Sequence, residues 1–264
     1  MSSPSLRVGA VPYLNGRPLV AYLEQPLAAP EVEIMLAVPS RLADLLSTGA
    51  LDVALLSSIE AFRRPEVAVV DGVCIAAYGP VRSVRLLSNV PFEQIGTMAS
   101  DEGSLTSVAL AQIVLAQRYG AKPAIFPALP EPSAMLSRAD AALVIGDVAM
   151  RPHSVSYTLD LGEAWRELTG LPFVYALWIA RNANVAAMAR PLLLKAKEWG
   201  LRRIRNIALE WASRMRVAPD RPVDYLENVI QYDLDAPKKQ AIARFEELCV
   251  AHGVCNTTYA APYI

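Results

Sequence analysis

Polar residues suited to binding a small ligand follow several apolar, strand-like runs in this sequence. The first is Asn15, in the segment VGAVPYLNGRPL (8–19), where an apolar run breaks at Pro12. Asn and Gly are typical turn residues and Pro suits the first turn of a helix, so a purely structural strand-to-helix turn explains the segment. Ligands of open α/β sheets bind at the carboxyl ends of the strands, so the same turn also predicts that Asn15 contacts a ligand.

Hydroxyl side chains cluster in a second segment, SDEGSLTSVALAQIVL (100–115), at the start of an apolar-periodic helix. Ser104, Thr106 and Ser107 are suited to capping that helix. The unpaired N–H groups and the positive dipole end of a helix also bind carboxylate or phosphate groups. The segment therefore predicts a helix cap, and it leaves an anion site open as a second function.

Two more segments place polar groups beside predicted strands. YGPVRSVRLL puts Arg82 and Ser83 directly before a strand, and ALVIGDVAM puts Gly146 and Asp147 directly after a buried one. Each pair is a candidate ligand contact by the same strand-end argument. Asp147 has a second interpretation as the N-cap of the next helix.

The sequence offers few strong catalytic side chains. It contains no P-loop, no G-x-G-x-x-G after a strand and no G-x-S-x-G elbow, and it has two histidines. His153 lies in a predicted loop, where we expect a surface residue. Cys249, His252 and Cys255 span about 9 Å of helix axis, too far for one metal ion, so no metal is expected. Catalysis then rests on positioning and hydrogen bonding.

The composition indicates which cell compartment and which class of partner to expect. The chain has 264 residues, of which 53% are hydrophobic, and a net charge of -1. Near-neutral charge argues against a nucleic acid or an anionic membrane surface as the partner. No secretory signal, membrane-length apolar stretch or disulfide framework is visible in the sequence, so we expect a soluble, cytoplasmic protein with a small-molecule partner.

Strand-like and helix-like runs alternate along the first two thirds of the chain, and the last third is largely helical. This alternation predicts an α/β fold with helices on both faces of parallel sheets. The runs form two series, which predicts two lobes with a ligand cleft between them. The first lobe is expected to comprise residues 1–88 and 178–264, and the second residues 89–177. The chain is expected to cross between them near 84–90 and 174–180.

Six motifs in a fixed order give the chain a family resemblance. They are VGAVPYLNGRPL, DVALLSSIEAF, YGPVRSVRLLS, LTSVAL, ALVIGDVAM and DLGEAWRELTGLPFVYALW. The chain resembles the MqnA family, the chorismate dehydratases of the futalosine route to menaquinone. The last motif is specific to this family and its sister MqnD, and the Y-L-N-x-R-P-L opening is similar to the dehydratase branch.

The resemblance implies a two-lobed fold of the periplasmic-binding-protein type II class in a cytoplasmic enzyme. It implies that chorismate loses water to give 3-[(1-carboxyvinyl)oxy]benzoate without a cofactor. Asn15 and Ser83 match the family's active-site asparagine and serine. The residues expected to bind substrate are Ser58, Arg82, Ser104, Thr106, Ser107, Gly146 and Asp147.

Three questions stay open at this point. The family often carries an arginine where this chain has Leu105, so if that arginine holds a substrate carboxylate, another group must do so here. Arg17 is expected to form an ion pair in preference to a substrate contact. The sister naphthoate synthase and a non-catalytic binding protein for small carboxylates are alternative functions, and apolar positions on the C-terminal helices leave a homodimer open.

Overall fold

Alternating strands and short helices build the protein, as the computed structural model shows. It describes residues 6–25, 29, 32–101 and 105–264. The strands are β1 (Leu6–Ala10), β2 (Val32–Leu36), β3 (Val53–Ser57), β4 (Ala68–Ala77), β5 (Val84–Ser88), β6 (Thr97–Asp101), β7 (Ala124–Ala128), β8 (Ala141–Ile145), β9 (Tyr157–Asp160), β10 (Phe173–Ala180) and β11 (Ile230–Gln231).

The longest of the described α-helices lie after residue 180. The α-helices are α1 (Arg17–Val20), α2 (Pro39–Ser47), α3 (Glu60–Arg63), α4 (Leu105–Val114), α5 (Pro132–Leu136), α6 (Gly146–Ala149), α7 (Leu161–Thr169), α8 (Ala183–Leu201), α9 (Ile204–Met215), α10 (Asp220–Asp224) and α11 (Ala236–Ala251). None of these described helices is long and apolar enough to cross a bilayer.

The chain divides into two compact α/β units, which confirms the predicted two-lobed α/β class. The first unit contains the chain up to Ala76, Ala176–Asp235 and Tyr259–Ile264. The second contains Ala77–Tyr175 and Ala236–Thr258. Strands β4 and β10 each continue from one unit into the other.

The sheet of the first unit has the order β11-β4-β10-β3-β1-β2 among the described residues. Strand β1 runs parallel to β2 and β3, and β10 runs antiparallel to β3. Buried aliphatic residues such as Val8, Val53 and Leu55 are fully enclosed, as expected for strands covered on both faces. This sheet places the carboxyl ends of β1 and β3 at one edge.

The sheet of the second unit has the order β7-β6-β8-β5-β9 in the described part of the chain. Strand β6 runs parallel to β7 and β8, and β5 runs antiparallel to β8 and β9. The carboxyl ends of β6 and β8 therefore meet the amino end of β5 at one edge of the sheet.

An aromatic cluster attaches the last helix to the second unit. Phe245 of α11 packs edge-on against Trp165 and Phe173, with ring centroids 6.0 and 5.0 Å apart, and the Trp165 and Phe173 rings are 5.1 Å apart. All three side chains are buried. Burial of these rings gives α11 a large apolar contact in this unit.

The division into units differs in two places from the predicted boundaries. The chain leaves the first unit after Ala76, inside β4, whereas the sequence predicts a first lobe that extends to residue 88. Helix α11 lies in the second unit, whereas the sequence placed all C-terminal helices in the first.

Asp52 connects the start of β1 to the end of β10. Its Oδ2 accepts hydrogen bonds from N and Nε of Arg7, each at 3.0 Å, and its Oδ1 accepts from Nη2 of Arg7 at 2.8 Å and Nε of Arg181 at 3.1 Å. Chiefly through the side-chain hydrogen bonds from Arg7, the pKa of Asp52 falls from 3.8 to about 2. The charged carboxylate therefore stabilises this unit.

We predict that Asp52→Asn destabilises the protein at neutral pH and not in strong acid. A folded-state pKa below the unfolded value stabilises the fold above the unfolded pKa, and this contribution is lost as pH falls through about 2. We expect a lower free energy of unfolding by about 1–2 kcal/mol at neutral pH.

Urea unfolding of the wild type and the variant at neutral pH and near pH 2 measures this difference. The two proteins should converge at the lower pH. A difference that stays the same at both pH values contradicts the electrostatic assignment.

Candidate active site

Asn15 lies in a tight turn that follows β1. Residues Leu14–Gly16 form one turn of 3-10 helix, in which Gly16 N donates to Tyr13 O at 3.1 Å, and α1 begins at once with Pro18 as its second residue. The predicted strand, turn and helix are thus confirmed. The side-chain Oδ1 of Asn15 is buried, and no donor among the described residues hydrogen-bonds to it. A buried acceptor without a partner is costly, so this atom is ready to accept a hydrogen bond from a ligand.

Two contacts fix the backbone of this turn. Tyr232 donates its phenolic O–H to the backbone carbonyl of Asn15 at 3.0 Å. Burial is the main cause that raises the pKa of Tyr232 well above 10, so the phenol keeps its proton and remains a donor. At the other end, Gly200 of α8 approaches Pro18 so closely that an added Cβ would lie 1.8 Å from the Pro18 carbonyl oxygen.

Arg17 forms the ion pair that the sequence favoured. Its Nη1 and Nη2 donate to the two carboxylate oxygens of Glu24 at 2.8 and 2.5 Å. These hydrogen bonds raise the pKa of Arg17, and the guanidinium is largely shielded from water. This bidentate pair joins the start of α1 to the turn after it and engages the charged end of the Arg17 side chain within the first unit.

Ser58 shares an edge of the first sheet with Asn15. It is fully buried and follows β3, and its backbone carbonyl accepts from Ala61 N at 3.1 Å. Because β1 and β3 are parallel neighbours, the segments that follow them emerge at the same edge. The structure therefore places Asn15 and Ser58 at the same edge of this sheet, where β1 and β3 end.

Ser83 and Gly146 are brought together in the second unit. Ser83 is 1% exposed, directly precedes β5, and accepts a hydrogen bond from Gly146 N at 2.8 Å through its backbone carbonyl. The pairing of Val84 with Ile145 sets this contact. Gly146 has a φ of +62°, a conformation that favours glycine and turns the chain from β8 into α6.

Asp147 is not the N-cap of the helix that follows β8. The N-cap position of α6 is Ile145, and Asp147 lies inside the first turn. The capping interpretation is therefore wrong, because the helix begins two residues earlier than a cap at Asp147 requires. Its position near Gly146 keeps it beside Ser83 at the edge of the sheet.

Thr106 and Ser107 lie in the first turn of α4, after β6. Both are buried, at 2% and 6% exposure. Since β6 and β8 are parallel neighbours, this turn emerges at the same sheet edge as Gly146. Ser104 lies outside the described residues.

Arg82 has an exposed side chain and an unusual backbone. Its φ is +65°, in the left-handed region that residues with a Cβ seldom adopt. Its N–H donates to Oδ2 of Asp160 at 2.6 Å, and the N–H of Val81 donates to Oδ1 at 3.0 Å. Sequence reasoning gave Asp160 no function, although it opens the motif DLGEAW, where Asp followed by Glu three residues later is a typical helix start.

The two histidines are engaged in structural contacts. His153 Nε2 lies 3.0 Å from the carbonyl oxygen of Val148, and His252 Nε2 lies 3.1 Å from Nε2 of Gln117. Both contacts are local to the second unit.

Comparison with known proteins identifies the family. The sequence model described as menaquinone biosynthesis matches residues 6–251. A chorismate dehydratase of Thermus thermophilus is 30% identical, with 89% of this chain and 94% of the relative covered. A chorismate dehydratase of Campylobacter jejuni is 28% identical, with 92% and 97% covered.

Solved structures support the fold class. A protein from Archaeoglobus fulgidus superposes with a TM-score of 0.69 at 15% identity, covering 96% of this chain and 100% of that protein. The periplasmic aliphatic sulphonate binding protein of Escherichia coli superposes with a TM-score of 0.64 at 16% identity, covering 98% and 96%. These likenesses show a periplasmic-binding-protein type of fold. With the family match across nearly the whole chain, they show that this protein belongs to the menaquinone biosynthesis family.

Proposed function

We propose that this protein is a chorismate dehydratase, a carbon–oxygen lyase that removes one water from chorismate to give 3-[(1-carboxyvinyl)oxy]benzoate. The observation that carries the proposal is the buried Oδ1 of Asn15, which lacks a donor among the described residues. The chorismate dehydratases of Thermus thermophilus and Campylobacter jejuni, each aligned over most of this chain, support the choice of substrate.

The reaction needs little chemical assistance from the protein. The base takes the proton from the ring carbon that bears the ether oxygen, and the C–O bond to the hydroxyl on the adjacent ring carbon breaks. The departing hydroxide then receives the proton that the base removed and leaves as water. The electron pair of the C–H bond becomes the third double bond of the ring. Because the product is aromatic, the reaction is strongly favoured. Orientation of the leaving hydroxyl and of the base therefore supplies most of the rate acceleration that the protein must provide.

Asn15 is suited to orienting the leaving hydroxyl. An amide cannot act as a base at neutral pH, but its Oδ1 accepts from an O–H and its Nδ2 donates to a departing oxygen. The turn that carries Asn15 is fixed by Tyr232, so the amide is held in place before substrate binds. Such preorganised hydrogen bonds lower a barrier because they need no rearrangement during the reaction.

The base is proposed to be the enolpyruvyl carboxylate of the substrate itself. The supply of protein bases supports this proposal, because the chain has only two histidines and each makes another contact. Ser83 is proposed to orient the ring substituents. Thr106 and Ser107, in the first turn of α4, are proposed to bind a substrate carboxylate in place of the arginine that Leu105 replaces.

Further substrate contacts are proposed for Ser58, Arg82, Ser104, Gly146 and Asp147. The reaction is proposed to need no cofactor and to run in the cytoplasm, within the futalosine route to menaquinone. The biosynthetic family supports this location, as do three buried cysteines, Cys74, Cys249 and Cys255.

We predict that the purified protein converts chorismate without any addition. Mass spectrometry should show a product lighter than chorismate by one water, and NMR should show an aromatic ring. A binding protein would return chorismate unchanged. Turnover of cyclic dehypoxanthine futalosine in place of chorismate would assign the sister naphthoate synthase activity and contradict the proposal.

We predict that Asn15→Ala lowers kcat on chorismate by on the order of 10²-fold with little change in Tm. The amide acts on the leaving hydroxyl, and a turn residue at a sheet edge contributes little packing. Asn15→Asp should lose activity as well, since a negative charge repels a substrate that carries two carboxylates. Ser83→Ala should weaken turnover and spare the fold.

Asn182→Ala is the matched control for these variants. Asn182 caps α8 by accepting from Val185 N at 3.0 Å, so its loss should reduce stability by about 1 kcal/mol and leave kcat unchanged. Turnover near the wild-type value in Asn15→Ala would show that the catalytic assignment of the turn is wrong.

A further inference from the structure

A single carboxylate connects two separate segments of the second unit. Oδ1 of Asp160 accepts hydrogen bonds from the backbone N–H groups of Val81 at 3.0 Å, Gly162 at 3.0 Å and Glu163 at 3.2 Å. Oδ2 accepts from the N–H of Arg82 at 2.6 Å. Asp160 is thus both the N-cap of α7 and a partner of the segment that leads into Ser83.

The segment that Asp160 holds is unfavourable by itself. Arg82, directly before Ser83, has a φ of +65°, where the Cβ of an L-residue is crowded. A hydrogen bond from the Arg82 N–H to a charged oxygen is a strong one, because the acceptor is ionised. The Asp160 carboxylate therefore selects a backbone conformation that Arg82 would otherwise seldom adopt.

The same segment lies directly against the start of α7. A Cβ added at Gly162 would be 2.5 Å from the carbonyl oxygen of Gly79 and 2.6 Å from the hydroxyl of Tyr175. Only a residue without a side chain permits this approach. The close contact brings the N–H groups of Val81 and Arg82 within reach of Asp160.

Ser83 is consequently held from both sides. Gly146 N donates to its carbonyl oxygen at 2.8 Å on the side of β8. On the other side, β5 pairs with β9, which places Arg85 opposite Asp160. The serine hydroxyl thus projects from a backbone whose preceding two N–H groups are fixed by one carboxylate.

We propose that Asp160 is a positioning residue for catalysis, which fixes the left-handed turn at Arg82 and thereby aims the Ser83 side chain at the substrate. The proposal rests on the proposed dehydratase function, in which Ser83 contacts chorismate. Asp160 itself touches no substrate in this account and acts only through the backbone of residues 81–83.

The test uses Asp160→Asn, which separates capping from positioning. Asparagine is a good N-cap, so its single carbonyl oxygen can keep the bonds from Gly162 and Glu163. Its NH₂ group then faces the N–H of Arg82 and cannot accept from it. We expect kcat on chorismate to fall about 10-fold or more, with KM within about twofold and Tm close to that of the wild type.

Asp140→Asn is the matched control in the same unit. Oδ2 of Asp140 also accepts from backbone N–H groups, those of Gly96 at 3.0 Å and Thr97 at 2.8 Å, but that segment carries no proposed substrate contact. Its kcat should equal the wild-type value, whatever happens to its Tm.

Hydrogen exchange of the backbone amides gives a readout that does not depend on activity. We expect the amide of Arg82, which loses its acceptor oxygen, to exchange faster in Asp160→Asn and at the wild-type rate in Asp140→Asn. Unchanged exchange at the Arg82 amide in Asp160→Asn, or faster exchange with a normal kcat, would overturn the positioning role.

Failure of the proposed function has a different signature. If the wild-type protein does not convert chorismate, the dehydratase assignment fails, and the catalytic part of this inference fails with it. The exchange rates still decide whether Asp160 fixes the turn at Arg82.

Discussion

The Asp52 carboxylate links β1 to the end of β10 in the first unit, because it accepts hydrogen bonds from Arg7 and Arg181. Asp52 directly precedes β3, which pairs with β1 on one side and with β10 on the other. The two arginines donate to the Asp52 oxygens, and the backbone of Asp52 exchanges further bonds with Arg7 and Arg181. Charge-assisted hydrogen bonds therefore add to the backbone pairing that holds β1, the strand from which the Asn15 turn emerges.

In the second unit, two aspartates fix backbone segments next to strands. Asp140 accepts from the backbone where β6 begins, and Asp160 accepts from the backbone just before β5. In each case a short acidic side chain satisfies N–H groups that a sheet or helix leaves unpaired. The polar groups at strand ends thus divide into those that fix the backbone and those proposed to contact a ligand.

For the proposed function, this division suits an enzyme with few strong bases. Loss of water makes the ring of the substrate aromatic, so the reaction needs little help from a reactive side chain. The groups assigned to chemistry are an amide and hydroxyls, which work only if they are held at the right angle and distance. Tyr232 holds the Asn15 turn through its carbonyl oxygen, and Asp160 holds the residues before Ser83. In the proposed function, the fixed geometry of these two turns takes the place of a reactive side chain.

Several features were predictable from the sequence because they depend on neighbours along the chain. Alternating apolar runs predicted the α/β class, and the Asn-Gly pair before Pro18 predicted the turn after β1. The motifs from VGAVPYLNGRPL to DLGEAWRELTGLPFVYALW identified the family. These signals are local, and local spacing determines strands, turns and helix starts.

Tertiary structure alone decided which segments meet. The aromatic packing of Phe245 on Trp165 and Phe173 assigned α11 to the second unit, and no pattern near residue 245 indicates those partners. The sequence likewise did not indicate that Asp160 accepts a hydrogen bond from Arg82, since the two residues are 78 positions apart. The sequence by itself determined the fold class, the family and the candidate residues Asn15 and Ser83. The partners that fix those residues in place come from distant parts of the chain, and only the folded structure brings them within hydrogen-bond distance.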